Sequence, residues 1–312
     1  MKRELGAAWA LLLLAGALAL LSPRNEAGNV FLAWQNLSNI LTQVCVTAIL
    51  AAGCGIVIIG GGIDLSVGSV LALSAALAAG AMKAGLPTPL ALAVGIGTGC
   101  AAGAANGILV AGVGLPPFIA TLGMMGIARG LAYVYLEGAP LFSFSAGFRT
   151  LAEGRLLGLP APVWVMAGVF LLGHLLLSRT RFGRTVYAIG GNEEAARLSG
   201  IPVALLKTGQ YVLCGACAGL AGLMMTARLD SAEPQAADGY ELDAIAACVM
   251  GGASLSGGEG TMAGSLVGAL IMGVVRNGLN LLNVSSYWQK AAIGSIILAA
   301  VMIDVIHGRK RR

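Results

Sequence analysis

Residues 179–202 read RTRFGRTVYAIGGNEEAARLSGIP, the longest polar stretch between two strongly apolar segments, 161–177 before it and 203–227 after it. Arg179, Arg181, Arg184 and Arg197 make it basic, and the positive-inside rule assigns such a loop to the cytoplasm. Within it, NEEAARL (192–198) reads as a short helix. Asn192 is a good N-cap, and Glu193 and Glu194 suit the positive end of the helix dipole. Gly200 and then Pro202 stop it. A short, stiff, charged helix at the inner face of a membrane fits a docking knob. An ordinary connecting loop fits the composition equally well.

The flanking segments set the class. Of 312 residues, 57% are hydrophobic and 11% charged, with a mean hydropathy of +0.86. Charged residues make up about a quarter of a soluble domain, so lipid solvates much of this surface and the chain reads as an integral membrane protein. The 47 glycines suit membrane helices whose backbones approach closely. The net charge of +5 sits largely in Lys2, Arg3, the central loop and the tail 309–312, a topology signal rather than a nucleic-acid footprint.

A membrane span needs about 20 apolar residues. Ten segments qualify: 7–21, 37–59, 67–82, 89–110, 117–136, 161–177, 203–227, 242–253, 262–282 and 287–306. The eighth is too short for a regular span and reads as broken or re-entrant, which is tolerated only where protein or water covers it. The first, behind Lys2 and Arg3, lacks a small-x-small cleavage site and reads as a retained helix rather than a signal peptide. Ten segments put both basic termini and the central loop inside, and the loops 22–36, 137–160 and 229–241 outside. The expected fold is an all-α, polytopic helix bundle forming one transmembrane domain over 1–312. GGIDLSVG (61–68) matches GGASLSGG (251–258), and each sits between an apolar segment and a Gly/Ala-rich one. Repeated, glycine-broken segments point to a transporter's central site, with chance similarity of Gly-rich sequence the competing account.

Catalytic and nucleotide-binding motifs are missing. No Gly-Lys dipeptide occurs, so there is no phosphate-binding loop. LSGGE (255–259) resembles the signature peptide of ABC ATPases but has no such loop to accompany it. His174 and His307 lack paired ligands, and the Cys214-x-x-Cys217 pair has no second pair or nearby His. All six cysteines fall in apolar segments and read as small buried residues. Asp64 is the most informative acid. An ionised Asp at the bilayer centre costs about 2.5–3.5 kcal/mol, so it should face a cavity or a helix end. It fits a cap for a helix starting at Leu65 or Ser66, or the lining of a pathway. Arg129 and Arg276 must face the bundle interior, pair or snorkel. Asn106, Asn277 and Asn280 offer amides to sugar hydroxyls or to neighbouring helices, and Ser66 and Thr121 offer hydroxyls. Glu241 and Asp243 begin the short eighth segment from the outer side, where they cap it, meet a binding protein or contact substrate.

Five blocks carry a family resemblance: GGIDLSVGSVLALSAALAAG (61–80), FIATLGMMGIARGLAYVY (118–135), GRTVYAIGGNEEAARLSGI (183–201), YELDAIAACVMGGASLSGGEG (240–260) and NGLNLLNVSSYWQ (277–289). In this order, over about residues 36–304, they resemble the membrane permeases of bacterial sugar ABC importers, the branched-chain/monosaccharide permease family. Members that carry ribose are nearest, and members for allose, xylose, galactose and autoinducer-2 share the blocks.

The resemblance implies a type II-like importer permease in the bacterial inner membrane, working as a homodimer or pseudo-dimer by alternating access. It implies a cytoplasmic ATPase beneath, which binds ATP and Mg so that this chain holds no cofactor, and a periplasmic sugar-binding protein above. It maps the family's coupling segment onto Gly191, Asn192, Glu193, Ala195, Ala196, Arg197 and Gly200, and so favours the docking reading of the central loop. Glu194 makes this knob slightly more acidic than a single Glu would. The translocation path is expected among Asp64, Ser66, Asn106, Thr121, Arg129, Asn277 and Asn280, with Glu241 and Asp243 at the outer face. Two other classes compete. An ion-coupled secondary transporter would use Asp64 and Arg129 but leaves the charged central loop unexplained. A membrane-embedded enzyme lacks a nucleophile, metal or base constellation.

Overall fold

A computed structural model describes residues 2–25 and 28–309. Lys310, Arg311 and Arg312 of the basic tail lie outside the described residues. The chain runs through α1 (Lys2–Leu21), α2 (Trp34–Ile59), α3 (Val67–Lys83), α4 (Thr88–Gly107) with a π-helical end (Ile108–Gly112), α5 (Pro117–Leu136), α6 (Ala146–Glu153) and α7 (Ala161–Arg179). It continues through α8 (Arg181–Gly191), α9 (Glu193–Leu198), α10 (Val203–Leu229), α11 (Tyr240–Met250), α12 (Met262–Leu281) and α13 (Ser286–Arg309). Each of the ten apolar segments expected from sequence overlaps one of these helices, the eighth running past the end of α11. Among the described residues, six helices are long and apolar enough to cross a membrane, namely α2, α4 with its π end, α5, α7, α10 and α12. α1 and α3 carry shorter apolar stretches of the same kind.

Local chemistry starts and stops these helices. Prolines occupy the first turns of α4, α5 and α7, where the missing N–H would have no partner anyway. α5 ends at Glu137, which is left-handed at φ 52°, and α10 ends likewise at Asp230. α11 has 11 residues, about 16 Å at the helical rise. That is about half of a ~30 Å hydrocarbon core, in line with a short eighth segment.

α2 is the centre of the bundle. Every residue from Val44 to Ile59 is buried, as expected for a helix apolar all round. α10 crosses it and packs most extensively on α4. That contact is made of glycine. A methyl group at Gly99 would strike the Gly215 carbonyl oxygen and one at Gly215 the Gly99 oxygen, and Gly103 meets the Tyr211 carbonyl in the same way. The repeat of Gly95, Gly99, Gly103 and Gly107 every four residues puts one bare stripe along α4, so the two backbones touch. The periphery is the reverse of a soluble protein. Leu12, Leu13, Phe118, Ile127, Val134, Leu171, Leu172 and Leu298 are exposed on α1, α5, α7 and α13, the surface that lipid solvates.

Three elements depart from the sequence reading. The stretch 179–202 holds two helices, because α8 precedes the expected α9. Gly183, Thr185, Val186, Gly190 and Gly191 give α8 weak helix propensity. Packing overrides it: Gly183 lies against the Leu177 backbone, and Val186 and Ile189 are buried. α6 forms inside the loop 137–160, capped by the Ser145 hydroxyl and anchored by the fully buried Phe148. α3 begins at Val67 rather than at Leu65 or Ser66, since Asp64 commits its carboxylate to Ser66.

Candidate functional site

The two glycine-rich segments that match each other, 61–68 and 251–258, each fall at a break between helices: residues 60–66 link α2 to α3, and residues 251–261 link α11 to α12. Gly61 at φ 79° and Gly252 at φ 94° take up conformations that side chains disfavour. The first break holds buried polar groups. The Asp64 Oδ1 accepts the Ser66 N–H at 2.9 Å and the Ser66 hydroxyl at 2.6 Å. Asn106 on α4 donates to the Ser66 Oγ at 2.9 Å. The hydroxyls of Thr121 on α5 and Tyr211 on α10 each lie 3.4 Å from the Ile63 carbonyl. Asp64, Ser66 and Asn106 are therefore one hydrogen-bonded cluster, with Thr121 beside it donating to the Pro117 carbonyl at 2.9 Å, and all four are at most 2% exposed. It is not saturated: the Asn106 Oδ1 and the Gln210 Nε2 on α10 are buried without a hydrogen-bond partner among the described residues, a cost of about 1–3 kcal/mol each.

The remaining candidates lie apart from this cluster. Arg129 donates to the Pro234 and Ala236 carbonyls at 2.7 and 2.8 Å, clasping the loop before α11. Glu241 approaches the start of α3, where a methyl at Gly68 would lie 2.5 Å from its Oε2. Asp243 pairs with Arg276 at 2.6 Å, and the Arg276 guanidinium lies over the Tyr240 ring. An open cleft is lined by Gln43, Thr47, Arg228, Tyr240, Asp243 and Arg276. Asn277 exchanges hydrogen bonds with Asn36 at 2.8 and 3.2 Å, joining α12 to α2. Asn280 is exposed and accepts from Gln289. The geometry thus gathers Asp64, Ser66, Asn106 and Thr121 together. It leaves Asn277 and Asn280 in separate contacts, while Glu241 lies within electrostatic reach of both Arg129 and Asp243.

The third region is the polar stretch after α7. Asn192 caps α9 by accepting the Ala195 N–H at 2.9 Å. Ala196 packs with Ile189 and Val203 in a small apolar cluster that joins α8, α9 and α10. Glu193 turns back onto the fold, 2.5 Å from the Lys207 ammonium and 3.5 Å from Arg197. Gly191, Asn192, Glu194, Ala195, Arg197, Leu198 and Gly200 are exposed. The sequence reading missed Lys207, although a lysine inside the apolar segment 203–227 signals a needed partner as plainly as Arg129 does. It also missed α8, whose Phe182, Val186 and Ile189 recur at helical spacing.

A model of the family described as branched-chain amino acid transport system / permease component matches residues 36–305. The chain belongs to this family. The ribose import permease of Escherichia coli (strain K12) is 48% identical over 302 residues, covering 95% of this chain and 91% of the relative. That of Bacillus subtilis (strain 168) is 49% identical over 276 residues, 88% and 86% of the two chains. The D-allose transport system permease of E. coli (strain K12) is 40% identical over 275 residues, 88% and 84%. No solved structure matches the chain. The permease is accordingly a multi-pass membrane protein and a transport subunit, not an enzyme. Its buried Asp64 cluster and its exposed α9 belong to a machine that moves a solute.

Proposed function

We propose that the chain is the membrane-spanning subunit of an ABC importer that carries ribose across the bacterial inner membrane. Residues 1–312 form one transmembrane permease domain of type II-like architecture, with ten segments crossing or entering the bilayer and both termini in the cytoplasm. A separate ATPase binds ATP and Mg, a periplasmic binding protein delivers the sugar, and a second copy of the chain completes a homodimer. The observation that carries the choice of sugar is the graded identity: 48–49% to ribose permeases over most of the chain, against 40% to the allose permease.

Residues 179–202 are the coupling loop. Gly191, Asn192, Ala195, Arg197 and Gly200 offer the docking face, while Ala196 and Glu193 hold α9 to the body. Asp64, Ser66, Asn106 and Thr121 line the closed path, with Arg129, Asn277 and Asn280 supporting it. Glu241 and Asp243 stand towards the binding protein.

The test is uptake of radiolabelled ribose into proteoliposomes holding this chain, with and without its ATPase and binding protein. Uptake that needs ATP and both partners is expected. ATP-driven uptake of another sugar in place of ribose would remove ribose and keep the importer. Uptake by the chain alone under an ion gradient would replace the importer with a secondary transporter.

A further inference from the structure

The two helix breaks meet. The Gly258 N–H, in the second, donates to the carbonyl of Ile59, the last residue of α2 before the first, at 2.8 Å. The C-terminal end of α8 is seated on that junction. A methyl at Gly190 would collide with the same Ile59 carbonyl and lie 2.5 Å from the Gly258 nitrogen. One at Gly257 would lie 2.6 Å from the Gly190 oxygen and 2.9 Å from the Gly61 Cα, and one at Gly258 would lie 3.0 Å from the Gly191 Cα. Three backbones therefore touch directly, glycine against glycine. A second tie runs beside the first: the Tyr187 hydroxyl on α8 donates to the Gly260 carbonyl at 2.7 Å.

Such a joint transmits displacement. Closely packed backbone has no flexible side chain to take up a shift, so a movement of α8 must either carry both breaks or separate them. The breaks themselves are pliant. Gly61, Gly252, Gly257, Gly258 and Gly260 all have positive φ, and glycine passes between backbone regions at little steric cost. A stiff lever thus ends on two hinges. The α10 span also reaches the first break, through the Tyr211 hydroxyl near the Ile63 carbonyl, whereas α8 contacts both breaks at once.

We propose that α8 is the transmission element, passing displacement of the α9 knob directly to both helix breaks through Gly190 and Tyr187, so that the two breaks move as one. Tyr187 is a positioning residue in this stroke. The proposal rests on the reading of the chain as an ATP-driven permease.

The test uses the reconstituted transporter with Tyr187→Phe, which removes one hydroxyl and keeps the ring. Three quantities are read for variant and wild type: co-purification of the ATPase, ATP hydrolysis rate and ribose taken up per ATP. Association is expected to be unchanged and hydrolysis within about twofold, while uptake per ATP falls about threefold or more, the scale of one lost hydrogen bond. Gly190→Ala should produce the same split more severely. Unchanged uptake per ATP in Tyr187→Phe would overturn the proposal, as would loss of ATPase association together with uptake, which would make Tyr187 part of docking or folding. Failure of the wild type to show ATP-dependent uptake is a different result, and removes the importer reading itself.

Discussion

Lys207, early in α10, closes on Glu193 of α9 with its ammonium 2.5 Å from the carboxylate. The lysine side chain is 9% exposed and the glutamate 40%. A nearly buried ammonium needs its counter-charge, so Glu193 is a brace that sets the angle of α9. Glu193→Arg removes that charge and adds a cation beside Lys207. The permease should still reach the membrane but lose its ATPase on co-purification. Exchanging the charges, Glu193→Lys with Lys207→Glu, restores the brace and should restore most of the association. A double variant that stays unable to bind would mean that the ATPase reads the Glu193 carboxylate itself.

Leu198 is 82% exposed at the end of α9, an apolar tip on an otherwise polar knob. Burying a leucine contributes about 1.5–3 kcal/mol, so Leu198→Asp should weaken ATPase binding by about tenfold or more. Because the side chain touches little of its own fold, thermal stability in detergent should stay within about 0.5 kcal/mol of wild type. Titration of the solubilised permease with the ATPase measures the first, and a melting curve the second. Unchanged affinity would place the docking contact elsewhere on α8 and α9.

What was legible in the sequence follows the range of each interaction. The α9 cap was readable because Asn192 and its partner Ala195 are three residues apart, and the six long apolar helices because span length is a local sum. Asp64 announced itself by the high cost of a charge inside the membrane. Its place beside Asn106 was hidden, since a buried cluster is assembled by helix packing between segments distant in the chain. Gly190 carried no signal at all. Its meaning lies in Ile59 and Gly258, far away in the chain, and a glycine in a membrane protein has many bland uses. Lys207 was legible by the same argument as Arg129, and only its partner required the structure.

The bare stripe on α4 makes a sharp prediction because one helix supplies both test and control. A methyl at Gly99 meets the Gly215 carbonyl, so Gly99→Ala must push α10 away and should destabilise by about 1–3 kcal/mol. Gly97, two residues earlier, has no atom of the described residues beyond its chain neighbours and its own local helix backbone within 4 Å of an added methyl. Gly97→Ala should therefore be neutral or stabilising by up to about 1 kcal/mol, the helix-propensity difference. Melting temperatures in detergent compare the two. Equal effects would mean that α4 and α10 are not in backbone contact.

The pair Asp243–Arg276 joins the short α11 to α12, with the carboxylate side chain 7% exposed and the guanidinium 33%. Arg276 also covers the Tyr240 ring, so it contributes both charge and apolar cover. Arg276→Met keeps the cover and leaves Asp243 unpaired, and should lower stability by about 1–3 kcal/mol. In the background of Asp243→Asn the same substitution no longer strands a charge, and its cost should shrink by at least about 0.5 kcal/mol, the usual floor for coupling between contacting groups. A double-mutant cycle on melting midpoints reads this difference. Strict additivity would show that the pair is held apart by water and that α11 is fixed instead by Gly251, Gly264 and Gly268, which bring its backbone directly against α12.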